Sequence, residues 1–364
     1  MGEKITAISL FAGAGGMDVG FQKAGVQVIW ANELDEDAAK TYANNNPETI
    51  LNVGDIRKAI PDIRELSESN IDLVFGGPPC QGFSVAGKMD PKDERSKLIW
   101  DYFKVVEILK PKYFIMENVK ALAKLHKWSS IRNKIIDRAN DLGYNCFFRI
   151  LNAADYGVPQ NRERVFFVGY KEETIEFEYY FDDAIENNKK SRISLRQSFH
   201  DFAKAGTKQN PITCSARITL AVRPVLRKSP YAGMLFNGMG RPLDLDSQAN
   251  TLPASMGGNK TPIIDEKLLE NPEEDNWIIN YHKKLINGYR PDLLIQVPKH
   301  IRRITINEAA HIQTFPERYI FKGRKSSIYR QIGNAVPCNL AEAVAKSLIS
   351  ASKKSISLNV KQVI

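Results

Sequence analysis

Over the first half of the chain, two hydrophobic periods alternate. Apolar runs of strand length, ITAISLF, VQVIWANE, IDLVF, YFIMEN, YNCFFRILNA and ERVFFVGY, are interleaved with stretches whose apolar residues recur at helical spacing. The helical stretches are MDVGFQKAG, closing at Gly25; DEDAAKTYANN; SKLIWDYFKVVEILK, which stops before Pro111; and SSIRNKIIDRANDLG. One more strand is expected just before NVGDI. Alternating β and α units predict an α/β fold with a mostly parallel, doubly wound sheet. After about Tyr170 this pattern breaks. Residues 186–300 are rich in Asn, Gly, Pro and Ser, with short apolar runs, and predict a smaller irregular domain. Helical order returns in TINEAAHIQTF and NLAEAVAKSLISASKK. The expected segments are therefore 1–185, regular α/β; 186–300, irregular; and 301–364, returning to the first.

Composition changes this picture little. The 364 residues are 43% hydrophobic and 26% charged, as in a globular protein with a sizeable core. No apolar run approaches the roughly 18 residues that cross a bilayer, and no secretory leader is evident, so a cytoplasmic protein with no membrane partner is expected. Cys80, Cys146, Cys214 and Cys338 are widely spaced and form no C-x-x-C pair, which argues against a zinc site or a disulfide framework and for no metal.

Charge adds more. The formal net charge is +9, and it is unevenly placed: residues 191–230 hold eight Lys/Arg against one acid, Asp201, and 301–330 hold seven against Glu308 and Glu317. Two basic blocks in the second half suit a polyanion such as nucleic acid, although surface charge alone accounts for many such runs.

Candidate chemistry clusters at strand ends. In SLFAGAGGMDVG a strand enters a glycine-rich turn and a helix, an arrangement that lets a ligand approach the backbone and favours an anionic group at the helix N-terminus. Gly13 and Gly15 fit the dinucleotide pattern, but Asp18 stands where its third glycine belongs, so a pyrophosphate is not indicated. Glu33 ends the second strand, placed to bond two ribose hydroxyls, and Asp55 follows the third, placed to bond an adenine amino group. Each acid serves equally as a helix cap or solvated loop residue. A nucleoside carrying an amino-acid carboxylate fits the set, and S-adenosylmethionine is such a molecule.

Cys80 lies beyond the fourth strand in FGGPPCQGFS. A lone cysteine is usually a small buried hydrophobe, but two prolines that fix the backbone suit a side chain that must be aimed, as a nucleophile's must. Glu117, just after the fifth strand, is a carboxyl whose pKa an apolar setting raises. Arg162 and Arg164 alternate on a strand edge, facing one side or forming surface ion pairs.

Taken together, FAGAGG, GGPPCQGFS, ENV, QNRER, RRITINEAAHIQTFP and QIGNAVP resemble the signatures of the DNA (cytosine-5) methyltransferase family, prokaryotic restriction-modification type, in that family's order from Phe11 to Pro337. The resemblance implies a catalytic and cofactor-binding domain over 1–185, a target-recognition domain over 186–300 and a hinge with returning C-terminal segment over 301–364. It implies methyl transfer from S-adenosylmethionine to cytosine C5 in double-stranded DNA, with Cys80, Glu117, Arg162 and Arg164 catalytic. The cofactor would lie against Phe11, Gly13, Gly15, Glu33, Leu34, Asp55, Ile56, Pro79 and Leu98, with Asn334 and Val336 closing the pocket. Gln81, Ser84 and Lys88 in the loop after Cys80, and Thr251 and Leu252 in ANTLPASMGG, are candidate DNA contacts. A tRNA-methylating enzyme of the same fold and a non-catalytic DNA-binding relative are the alternatives. A monomer at the nucleoid is expected, sharing its site with a companion restriction endonuclease without a stable complex.

Overall fold

The computed structural model describes residues 4–79, 97–171, 176–291 and 296–362. The chain divides into two compact units. Unit 1 is Met1–Gly157, Arg162–Ser191 and Val336–Ile364; unit 2 is Val158–Asn161 and Arg192–Ala335. The stretch 301–335 thus belongs with unit 2, and the return to unit 1 begins at Val336.

Unit 1 is built on seven strands: β1 (Thr6–Leu10), β2 (Gln27–Glu33), β3 (Ile50–Val53), β4 (Leu73–Gly76), β5 (Tyr113–Val119), β6 (Asn145–Asn152) and, after the two-residue β7 (Gln160–Asn161) of unit 2, β8 (Glu163–Tyr170). Their order is β3-β2-β1-β4-β5-β8-β6. All pairs from β3 to β5 are parallel, and β8 runs antiparallel to both its neighbours. The chain order reverses at β1, which lies between β2 and β4. Open α/β sheets bind ligands at the carboxyl ends beside such a switch point.

Helices α1 (Gly16–Lys23), α2 (Glu36–Asn45), α3 (Ile60–Glu65), α4 (Leu98–Leu109), α5 (Lys120–Lys124) and α6 (Ser129–Asp141) connect these strands. The stops are local: α2 is capped by Asp35, whose carboxylate accepts from Ala38 N at 3.0 Å, and α4 ends at Lys110 in a left-handed conformation before Pro111. On one face Tyr102, Phe103, Phe114 and Tyr144 interlock edge to face around a core that also holds Trp128. Elsewhere in unit 1, α13 (Cys338–Gln362) packs against α1 and α7 (Phe177–Asn187). The sequence pattern missed α7, whose buried Phe177, Phe181, Ala184 and Ile185 give it an apolar stripe.

Unit 2 has only short strands. β9 (Leu220–Val225) pairs antiparallel with β10 (Met234–Phe236), β11 (Ala249–Asn250) pairs parallel with β7, and β12 (Ile263–Asp265) pairs antiparallel with β13 (Ile301–Arg303). Short helices α8 (Leu195–Ser198), α9 (Glu266–Glu270), α10 (Trp277–Ile286), α11 (Ile306–Ile312) and α12 (Lys325–Asn334) complete it. A core of Leu245, Leu252, Ile264, Ile304, Ile312, Tyr329 and Ile332 ties α11 and α12 to the antiparallel β12–β13 pair, which is why 301–335 belongs here. No helix among the described residues is long and apolar enough to cross a membrane.

Candidate active site

The candidate residues of unit 1 gather along one edge of the sheet because β1 to β5 all run the same way. After β1 the backbone turns sharply. Phe11, Gly13 and Gly15 have φ of 55°, 57° and 81°, and Gly15 is the N-cap of α1. A bulky residue at positive φ is rare outside strained functional turns. A Cβ added at Gly13 would meet nothing within 4 Å, so the turn borders open space.

Glu33 holds this turn. Its Oε2 accepts from Gly13 N at 2.7 Å and its Oε1 from Asp35 N at 2.7 Å, while burial raises its pKa against these bonds. Each oxygen keeps a lone pair, so the carboxylate can still accept from a ligand's hydroxyls. Below the turn, Asp18 is fully buried and accepts from Tyr42 Oη at 2.8 Å; desolvation pushes its pKa up to about 6. Asp55 is bound by Arg57, whose Nε and Nη2 lie 2.9 and 2.5 Å from its two oxygens, and this bond lowers its pKa to about 2. Asp55 is thus ionised and purely an acceptor, as an exocyclic amine requires. Asn32, buried on β2, fixes the Asp55 loop by donating to Asn52 Oδ1 and Gly54 O, both at 3.0 Å.

β4 ends at Gly76, and Gly77 follows it. A Cβ at Gly76 would lie 2.1 Å from Leu10 O, and one at Gly77 would lie 2.8 Å from Glu117 Oε2. At Gly76 the close atom is β1 backbone, so only glycine fits there; at Gly77 any side chain would displace the Glu117 carboxyl. Glu117 lies within β5, paired with Phe166, rather than beyond the strand end. Its Oε1 is 2.9 Å from Arg164 Nε, and burial raises its pKa although Arg164 and Arg162 both pull it down. The adjacent Asn118 donates to Pro78 O at 3.2 Å, pinning the loop that leads to Cys80.

The arginines do not alternate on one strand as expected. Arg162 precedes β8 and is 1% exposed, its backbone N–H donating to Asn152 Oδ1 at 3.2 Å; Arg164 lies in β8 opposite Val119. Both charges still act on Glu117.

The remaining candidates are scattered. Ile56 and Val336 are buried, Pro79 and Leu98 half-buried, and Leu34 is exposed, all in unit 1, whereas Asn334 ends α12 in unit 2. In unit 2, Thr251 is exposed and donates to Asn161 O at 2.9 Å. Leu252 is a core residue, 1% exposed, so its side chain is not available to DNA as expected; its N–H donates to Gln160 Oε1 at 2.9 Å. Cys80, Gln81, Ser84 and Lys88 lie outside the described residues.

Sequence reasoning passed over Asn118 and Asn32. Their signal was an amide at the last position but one of a largely apolar strand, where, buried, it must find hydrogen-bond partners.

The arrangement fits S-adenosylmethionine: a glycine turn open on one side, a helix N-terminus for a carboxylate, and acids at the ends of β2 and beyond β3 for ribose and adenine. The family model for C-5 cytosine-specific DNA methylase matches residues 5–350. Type II methyltransferase M.DdeI of Desulfomicrobium norvegicum is 30% identical, with 94% of this chain and 88% of that protein covered. Type II methyltransferase M.NgoPII of Neisseria gonorrhoeae is 32% identical, with 94% of each covered. Among solved structures, a putative DNA modification methyltransferase from an E. coli prophage superposes with a TM-score of 0.67 at 23% identity, covering 96% of this chain and all of that one. The S. pombe Dnmt2 methyltransferase superposes at 0.63 and 16% identity, covering 95% and 98%. The chain belongs to the C-5 cytosine-specific DNA methylase family. It is a DNA cytosine-5 methyltransferase, and S-adenosylmethionine is its methyl donor.

Proposed function

We propose that the chain methylates one cytosine within a short duplex DNA site, with Cys80 as covalent nucleophile. The supporting observation is Glu117, its side chain 12% exposed and held by Arg164, beside the Gly77–Pro78 backbone that Asn118 pins. Cytosine C5 is a poor carbon nucleophile. Addition of the Cys80 thiolate at C6 makes C5 enamine-like, C5 takes the methyl group, the C5 proton leaves, and the thiolate is eliminated. A free thiol near pKa 8.5 is only a few per cent ionised at neutral pH, so the arginine charges matter. Glu117, its pKa raised, donates a proton to cytosine N3 and offsets the negative charge that addition places on the ring. Arg162 and Arg164 hold that carboxyl and the O2 edge.

S-adenosylmethionine supplies a methyl carbon on a positively charged sulfur. Phe11, Gly13, Gly15, Glu33, Leu34, Asp55, Ile56, Pro79, Leu98 and Val336 would bind and orient it. No such geometry exists inside a duplex, so the target base is flipped out at a cost of a few kcal/mol. Gln81, Ser84 and Lys88 contact the DNA near Cys80, and unit 2, through Thr251 and its basic blocks, recognises the site. The protein acts as a monomer at the nucleoid, alongside an endonuclease of the same specificity.

A duplex with 5-fluorocytosine at the target tests this reading. Fluorine cannot leave C5 as a cation, so elimination stops and enzyme and DNA stay joined. A complex that survives denaturing electrophoresis is expected only with S-adenosylmethionine and not with Cys80→Ser. Methylation of ordinary cytosine without trapping on the fluorinated site removes Cys80 from the role.

A further inference from the structure

Unit 2 contains a cavity of about 520 Å³ between the 214–222 segment and residues 296–303. Its lining includes Arg217, Lys299, Arg302 and Arg303 and, among the described residues, no carboxylate. Arg302 is neutralised by Glu266 and Glu308, at 3.0 and 2.7 Å. Arg217 and Lys299 are exposed and have no ion pair among the described residues.

Arg303 is the unusual member. It is 3% exposed and donates from Nε to Ala216 O at 3.0 Å and from Nη1 to Thr261 O at 2.7 Å, while Nη2 is buried with no hydrogen-bond partner. No described carboxylate lies within ion-pair distance of it. A buried cation without a counter-ion is expensive, by several kcal/mol even after relaxation. An anion in the cavity offsets that cost.

We infer that this cavity is a docking site for backbone phosphate of the DNA substrate. Arg217 and Lys299 meet the phosphate oxygens at the rim, and Arg303 supplies positive potential from the wall. The volume far exceeds one phosphate group, and a sugar–phosphate strand, which the established activity supplies, is an anion large enough to enter it. This rests on the reading of unit 2 as the recognition unit, and it adds the residues and the ligand group. Cys214, half-buried in the lining, is a reporter already in place.

The test measures binding of a fluorescent duplex by anisotropy across salt concentrations, for wild type, Arg217→Ala/Lys299→Ala and Lys283→Ala/Lys284→Ala. The last pair removes equal charge from exposed positions on α10 outside the cavity. Each lost phosphate contact should reduce the slope of log affinity against log salt by about 0.9, so the cavity variant is expected to be shallower by about 1.8, with the control near wild type. Equal slopes for all three, or an equal loss in the control, overturn the cavity assignment. A wild-type protein whose duplex binding ignores salt overturns the underlying reading of unit 2 instead. In parallel, duplex should slow alkylation of Cys214, read on its own peptide. Protection by pyrophosphate but not by duplex shows that the cavity serves a free phosphorylated molecule and overturns the DNA assignment.

Discussion

The two units solve the same backbone problem differently. In unit 1 the seven-stranded sheet satisfies its own N–H and C=O groups, so the core is largely apolar, and among its buried polar side chains Asn32, Glu33, Asn118 and Arg162 lie at or beside strand ends, with Asp18 under the glycine turn. In unit 2 the ladders are two to six residues long, and side chains complete the accounting. Arg303 bonds the carbonyls of Ala216 and Thr261, Gln313 those of Ile332 and Ala335, Tyr329 that of Ile304, and Asn210 that of Ala203. Buried backbone groups must be paired in either case. A regular sheet does it with any apolar sequence of the right period, whereas irregular segments need a particular polar residue at each place. Unit 1 is thus built to hold a fixed constellation, and unit 2 to present a surface.

If the chemistry belongs to unit 1 alone, the largest effect of a conservative change is there. Glu117→Gln keeps the shape and an N–H donor but cannot transfer a proton. Turnover should fall about 10²- to 10⁴-fold, while duplex affinity changes little. The pH profile sharpens this. Burial raises the Glu117 pKa, so the active protonated form persists above the ordinary carboxylic range and is lost as pH rises through the raised value. The wild-type rate should carry that falling limb, and the Gln variant should lack it. A variant with normal turnover, or with the same limb, would separate Glu117 from the proton.

The next change asks whether unit 2 depends on polar side chains as unit 1 does not. Arg302 bridges Glu266 and Glu308, and Glu308, 2% exposed, also caps α11 with Thr305. Arg302→Met leaves Glu308 buried without its cation, which should cost about 3–5 kcal/mol. In unit 1, trimming a fully buried core methyl by Ile8→Val should cost about 0.5–1.5 kcal/mol. Urea denaturation of both variants gives the comparison directly. Equal, small losses would mean that unit 2 is held by its apolar clusters after all.

The same contrast explains what was legible in the sequence. Strand and helix periods located β1, β2, α1, α2, β4, α4, β5, α6, β6 and β8 within a few residues, because a half-buried element writes its period into its side chains. Helix α7 was missed because the strand–helix alternation breaks after about Tyr170, and its stripe lies just beyond that break. The glycine turn, Glu33 and Asp55 were placed by their positions after strands. The ion pair of Glu117 with Arg164 was not, since it joins β5 to a strand 47 positions further on, and only antiparallel pairing brings Arg164, opposite Val119, within two positions of Glu117. In unit 2 the sequence showed charge and one helix, TINEAAHIQTF, which is α11, but not the short strands or the other helices. Leu252 was read as a surface residue because nothing in TLPAS tells which side of a short segment faces in. Arg303 was read as one basic residue among seven, because a guanidinium's burial depends on carbonyls 42 and 87 positions away.

The smallest expected effect tests the one buried acid of unit 1 that touches no reacting group. Asp18 stood out in the sequence only as the residue that broke a glycine pattern, and it lies under the turn with Tyr42 donating to it. Its pKa is about 6 in the folded chain against an ordinary 3.8, because desolvation outweighs the hydrogen bond from Tyr42. The folded state therefore binds more proton than the unfolded state between these values, and stability falls as pH rises from about 4 to about 6, then levels. A difference of about two pH units corresponds to at most ~3 kcal/mol, and relaxation will reduce it. Asp18→Asn retains an oxygen for Tyr42 and carries no charge. The variant should match wild type near pH 4 and exceed it by about 1–3 kcal/mol at pH 7, with the gap opening between. Urea titrations at several pH values, taken as the difference between the two proteins so that other groups cancel, read this out. Parallel curves would mean that Asp18 is neutral or solvated throughout, and that unit 1 tolerates a buried acid beneath its ligand turn at no cost.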